Sequence, residues 1–189
     1  MKLKIIFKSI ALLIVGLLIA PSLPSSGANA SSSMQMNTTQ QIKGMPMQQD
    51  MMDRHFIEMM IPHHQMAVTM ADIELTRGTN ADVKAMAAQI KTSQTAEIEQ
   101  LENWYVQWFG DEPKMQSMDM SMVQELQSSS DVDRTFVELM IPHHQQAIAM
   151  ARMEVVGGGH SELLGFAQKT ITEQGQEVQQ MVEMLHSMR

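Results

Sequence analysis

Asp53-Arg54-His55-Phe56-Ile57-Glu58-Met59-Met60-Ile61-Pro62-His63-His64-Gln65-Met66-Ala67 aligns without a gap on Asp133-Arg134-Thr135-Phe136-Val137-Glu138-Leu139-Met140-Ile141-Pro142-His143-His144-Gln145-Gln146-Ala147, at an offset of 80 residues. Outward from this stretch, Met70-Ala71 and Glu74 recur as Met150-Ala151 and Glu154. The same offset pairs Gln94, Glu97, Ile98 and Gln100 with Gln174, Glu177, Val178 and Gln180. Apolar residues recur at three- and four-residue spacing, and the breaks are at Gly or Pro, so both copies read as helical. The spacing predicts helices over residues 50–76, 81–109, 131–156 and 161–187. Gly78 and Asn80 mark one turn, with Asn80 as an N-cap, and Gly157 to Gly159 mark the other. Each hairpin alone would expose an apolar stripe that the other can cover. The expected fold is therefore all-α, a four-helix bundle built from two duplicated hairpins.

Alternating steps of four and three along the first helix pick out Phe56, Met60, His63, Ala67, Met70 and Glu74. In the second copy they pick out Phe136, Met140, His143, Ala147, Met150 and Glu154. The six residue types are identical, whereas His55 against Thr135 and Met66 against Gln146 differ off the stripe, which marks the stripe as the bundle seam. Folding each hairpin about its turn sets His63 level with Gln94 and Met60 with Glu97, and likewise His143 with Gln174 and Met140 with Glu177. His63 and His143 are then the expected inward members of their pairs, with Glu97 and Glu177 orienting them. His64 and His144 lie about 100° round the helix. Pro62 and Pro142 sit inside the helices, where each costs roughly 3 kcal/mol and frees the carbonyl of residue 58 or 138.

The remaining chain supplies the context. Of 189 residues, 22 are Met, against five Phe, two Trp, one Tyr and no Cys. Lys2, Lys4 and Lys8, the apolar run Ile10 to Ala20 and Ala28-Asn29-Ala30 read as a cleavable export signal over residues 1–30, too short for a membrane anchor. Residues 31–49 read as a flexible arm carrying Met34, Met36, Met45 and Met47, and residues 50–189 as the bundle. Within the bundle, repeats 50–109 and 131–187 flank a Met-rich linker, 110–130. Losing the three signal lysines leaves ten basic against 21 acidic residues, the wrong sign for a nucleic-acid partner. The absence of Cys excludes thiol chemistry and thiolate metal sites.

A single seam Met is ordinary core filler, and a single inward His ordinary hydrogen-bonded structure. Duplicated Pro-His-His with a Met one turn before each pair, and Met115, Met118, Met120 and Met122 in a tract without a burying period, call for another purpose. Thioether and imidazole together favour Cu(I), with Ag(I) as its analogue, and His also serves Cu(II). The candidate metal ligands are Met60, His63, His64, Met66, Met70, Met140, His143, His144 and Met150, with Met115, Met118, Met120 and Met122 in the linker. Gln94, Glu97, Gln174 and Glu177 stand behind them, to orient the rings or balance charge.

At Met60-Ile61-Pro62-His63-His64-Gln65-Met66-Ala67 and its repeat, Met140 to Ala147, the chain resembles the CopM-like family of bacterial Met- and His-rich periplasmic copper-binding proteins, catalogued as a domain of unknown function. The likeness spans essentially the whole mature chain. It implies a ferritin-like four-helix bundle that binds copper in the periplasm and protects the cell from excess metal. The expected function is thus a copper chelator or carrier rather than an enzyme. Copper ions are its partners, along with a copper efflux or delivery protein, and no nucleic acid or membrane is expected after signal cleavage. The alternatives are a carboxylate-bridged di-metal oxidase, for which Glu97, Glu177, His63 and His143 could serve although the Glu-x-x-His spacing of such sites appears only as Glu183-x-x-His186, and a metal-free interaction bundle.

Overall fold

The computed structural model describes the backbone of residues 31–188 and the side chains of residues 46–188. The export signal, and the side chains of Met34, Met36 and Met45, lie outside the described residues. Among the described residues there are five helices and no strand: α1 (Ser31–Arg77), α2 (Ala81–Phe109), α3 (Ser121–Ser128), α4 (Val132–Gly157) and α5 (Ser161–Ser187). The ends follow from local chemistry. The Asn80 side chain accepts from the Asp82 and Val83 amides, as expected of an N-cap, and Asp131 does the same for Arg134. Gly110 closes α2 in the left-handed region, at φ 75°, which favours glycine.

Two segments depart from the sequence reading. Residues 31–49 were expected to form a flexible arm, but their backbone continues α1 upstream, while residues 46–50 stay exposed. Extending a helix that already exists adds a hydrogen bond for each residue fixed, so no buried face is required. The linker is also not featureless. α3 starts where Asp119 accepts the Ser121 amide at 2.9 Å, and it buries Val123 and Leu126. Arg77 closes its other end by donating to the carbonyls of Leu126, Gln127 and Ser129. Met118 and Met122 pack against the core, and only Met115 and Met120 remain well exposed, at 43% and 40%.

The linker is fastened to α1 as well. Pro62 removes the amide that would bond the Glu58 carbonyl, and that carbonyl accepts instead from Gln116 at 3.4 Å. The Glu58 side chain takes the Tyr105 hydroxyl at 2.6 Å and the Lys114 amide at 3.3 Å.

The two hairpins, α1–α2 and α4–α5, join chiefly through α1 and α4, which run antiparallel. His63 stacks on His143 at their crossing, so the twofold relation between the repeats passes between these rings. At one end of the crossing, Asp53 of α1 accepts the Gly159 and His160 amides of the other hairpin's turn at 2.8 and 3.0 Å. At the opposite end, Asp133 of α4 accepts the Thr79 and Asn80 amides at 2.9 and 2.8 Å. Each hairpin thus closes the other's turn. Burial followed by the facing Asp133 pushes the Glu74 carboxyl up to about 8, and burial followed by Asp53 does the same to Glu154. Their oxygens have no donor if ionised. A proton on each, directed at the neighbouring aspartate, satisfies both groups.

Candidate metal centre

The four histidines of the two Pro-His-His motifs are all buried, none more than 1% exposed. His63 and His143 point inward, as the seam predicts, but His64 and His144, about 100° round the helix, are just as deeply buried. α1 packs against both α2 and α4, and α4 against both α1 and α5, so each has a buried arc wide enough for two adjacent side chains. His63 and His143 face each other across the α1–α4 crossing, with ring centroids 3.7 Å apart and planes at 27°. The His143 Nε2 lies 3.1 Å from the His63 carbonyl. His64 and His144 turn toward the outer helices. His144 Nε2 meets Glu177 Oε2 at 2.7 Å, and His64 Nε2 lies 3.1 Å from Glu97 Oε2 without the alignment of a hydrogen bond. Glu97 and Glu177 therefore serve the second ring of each pair, not the first.

The ring electrostatics follow from this burial. Desolvation, reinforced by His64 and His144, pushes His63 down to about 3, and burial with the same crowd of rings pushes His143 down too. Both are neutral at ordinary pH and keep a free lone pair. The Nδ1 atoms of all four rings, and both nitrogens of His63, lack any partner in the protein. Burial alone would raise the Glu97 carboxyl, but His64 and Lys169 outweigh it and hold it below its ordinary value. Lys169 was not singled out in the sequence. It reaches across from α5 to Glu97 at 3.0 Å, a contact between helices that no local pattern announces.

Met60, Met70 and Met140 are fully buried and Met66 nearly so, but Met70, like its repeat equivalent Met150, lies away from the rings, Met70 in the cluster under Val123 and Leu126 of α3. Met60 and Met140 lie one helical turn before their histidines, on the same side of the helix. Gln94 and Gln174 are buried, and each has a carbonyl oxygen without a partner. With Ser93, Glu97, Thr170, Glu173 and Glu177 they line a polar cavity of about 10 Å³ between α2 and α5, room for about one water. A wider groove of about 440 Å³, with Trp104, Phe166 and Lys169 in its walls, shares Ser93 and Glu97 with it. Glu97 thus stands between open solvent and His64.

The remaining expected ligands are elsewhere. Met150 does not join the histidines but lines a separate cleft with Met52, His55, Met59 and Met153, none of which the sequence reading placed at a site. These four differ between the repeats, and a search for identical positions passes over them. The linker Met118 and Met122 lie against the cluster that holds Met66 and Met140. Glu183 and His186, the one Glu-x-x-His spacing in the chain, are both exposed near the end of α5.

Burial also sets a pH dependence for the metal-free protein. Between 4.5 and about 8 the folded state retains protons on Glu74 and Glu154 that the unfolded chain has released, so their contribution is complete below pH 4.5 and drains as pH rises. His63 acts in reverse: the unfolded chain takes up a proton from pH 6.5 downward and the folded one only near 3. Lys84, Asp131 and Asp133 face Glu74, and Asp53 faces Glu154. The melting temperature should peak between about pH 4.5 and 6.5. Glu74→Gln with Glu154→Gln should flatten its alkaline fall and spare the acid side. A midpoint that rises steadily above pH 6.5 would contradict the buried protons.

Residues 20–105 and 53–185 match a family model described as Domain of unknown function (DUF305). Among solved structures the chain is similar to CopM in the Cu(I)-bound form, at 34% identity over 71% of this chain and 96% of that one, with a TM-score of 0.68. It is similar to CopM in the Ag-bound form obtained by co-crystallization, at 34% identity over 71% and 96%, TM-score 0.66. A DUF305 fragment from Deinococcus radiodurans matches at 25% identity over 72% and 96%, TM-score 0.66. No curated protein sequence matches the chain.

Proposed function

The chain belongs to the DUF305 family, and from that premise we propose that it is an exported soft-metal protein of the periplasm, which sequesters or carries copper as Cu(I) and contributes to copper resistance. One observation carries the reading: neutral, buried imidazoles with unpartnered nitrogens share the bundle centre with buried thioethers. A core that only needed to pack would have no use for that set, since each orphaned nitrogen costs about 1–3 kcal/mol. Thioether and imidazole together are the donor set of Cu(I) and Ag(I). Copper is the cargo of this site, not a catalyst. Met60, His63 and His64 from α1, with Met140, His143 and His144 from α4, are the ligands we assign. Glu177 holds the His144 ring, Glu97 stands beside His64, and both supply negative charge toward the groove through which an ion would enter. In vivo the reading calls for a copper efflux or delivery protein at the other end of the transfer, and it gives the chain no enzymatic step.

Anaerobic titration with Cu(I), Ag(I), Cu(II) and Zn(II), followed by mass spectrometry of the intact protein, tests this. Several Cu(I) or Ag(I) ions should bind and zinc only weakly. Glu97→Gln should weaken the tightest class by about 10–100-fold, as loss of a group that orients a metal-bound histidine does. The exposed neighbour change Glu99→Gln should have no effect. Zinc displacing Cu(I) at equal free concentration would end the copper reading.

A further inference from the structure

Where α1 crosses α4 beside the second turn, a cleft of about 100 Å³ opens between them. Its wall is built from Met52, His55, Met59, Met150 and Met153, with Phe56 and Glu154 completing it. Met52, His55 and Met59 recur at three and four residues along α1, and Met150 and Met153 at three along α4, so each set points to one side of its helix. His55 and Met153 are exposed, the latter at 63%, and Met52, Met59 and Met150 are half-buried. Four thioethers and an imidazole are thus gathered at the surface, and Met52 lies against the backbone of Gly157 with no Cβ in the way.

The duplication supplies the control that a single site lacks. The equivalent positions on the other side of the twofold relation are Val132, Thr135, Leu139, Met70 and Ile73. Val132, Leu139, Met70 and Ile73 belong to one cluster there, sealed by Val123 and Leu126 of α3. Packing at this corner of the fold therefore needs only Val, Thr, Leu and Ile where the open cleft has Met52, His55, Met59 and Met153. Core filling explains the first set but not the second. Donors stand at these four positions in the copy that α3 leaves uncovered, and Val, Thr, Leu and Ile in the copy that it seals.

We propose that this cleft is a second, surface-accessible soft-metal site, taking one Cu(I) or Ag(I) ion between the thioethers of Met52, Met59, Met150 and Met153 and the imidazole of His55. It rests on the copper reading but is separate from the buried histidine centre, and an ion here needs no opening of the bundle. Neutral sulfur and a single imidazole suit a monovalent soft ion over zinc.

The test borrows the residues of the sealed copy: Met52→Val, His55→Thr, Met59→Leu and Met153→Ile in one protein, a set the fold already accommodates. Titrated with Ag(I), the variant should bind one ion fewer per molecule than the parent by native mass spectrometry, with unchanged helical circular dichroism. His63→Leu with His143→Leu should keep that ion. In the parent, Ag(I) should shift the methyl NMR signals of Met52, Met59, Met150 and Met153. An unchanged stoichiometry in the four-fold variant, or unmoved methyl signals, overturns the cleft site and leaves the buried centre standing. A parent that binds no Ag(I) at all overturns both.

Discussion

Replacing His63 and His143 together by Leu is expected to raise the melting temperature of the metal-free protein while abolishing soft-metal binding at the site proposed for the bundle centre. The two rings are stacked in the buried interior, and three of their four nitrogens have no partner among the protein atoms. An unsatisfied buried polar atom costs about 1–3 kcal/mol, and an apolar side chain of similar volume removes that penalty. The His143 contact with the His63 carbonyl is lost, but a helical carbonyl retains its own intrahelical donor. A gain of about 1–3 kcal/mol corresponds to a rise of about 3–10 °C for a domain of this size. Cu(I) titration of the same variant should show the tightest ions gone. Stability that rises as binding falls separates a ligand from a structural residue. A variant that melts lower would assign these rings to the scaffold.

The second large effect concerns glycine. A Cβ on Gly78 would stand 2.0 Å from Glu74 Oε1, and one on Gly158 would stand 1.9 Å from Glu154 Oε1 and 2.8 Å from Asp53 Oδ1. Gly158 has an ordinary negative φ of −74°, so what it needs is room for a buried carboxyl, not freedom of backbone. Gly78→Ala or Gly158→Ala should each cost about 3 kcal/mol, by expelling the glutamate and the aspartate it faces. Gly165→Ala is the control. That site lies on the surface of α5 with nothing near its Cβ, and alanine there should stabilise by about 0.5–1 kcal/mol. Urea unfolding of the three metal-free variants reads all of this. A neutral Gly158→Ala would mean that the carboxyl pair is not seated against the turn.

What the sequence disclosed and what it hid divides along physical lines. Helix pitch is local, so the stripe from Phe56 to Glu74 and its repeat identified the buried positions, and helices over 81–109 and 161–187 match α2 and α5. The fate of His64 and His144 depends on how many neighbours a helix has. One seam describes α2 and α5, but α1 and α4 each carry two, and periodicity does not count neighbours. For the same reason Glu97 was set level with Met60 and instead meets His64. α3 was hidden by composition: among Ser, Gln and Met, only Val123 and Leu126 mark its buried face, a signal two residues long. The exchange of aspartates between turns, 106 residues apart in Asp53 and Gly159, has no local trace at all.

That exchange has a meaning for how such a chain can come about. Asp53 stands at one end of the paired part of α1 and its own hairpin's turn at the other, about 38 Å away at 1.5 Å per residue, so it can never reach that turn. A lone hairpin would carry an acceptor with nothing to accept at one end and two unclaimed amides at the other. Two copies placed head to tail satisfy both ends at once. The arrangement is a closed homodimer written in a single chain, its subunit boundary running between His63 and His143. Once two identical subunits share a chain, each can change without the other. One half here has a corner of hydrocarbon under a short helix, and the other has thioethers and an imidazole open to solvent.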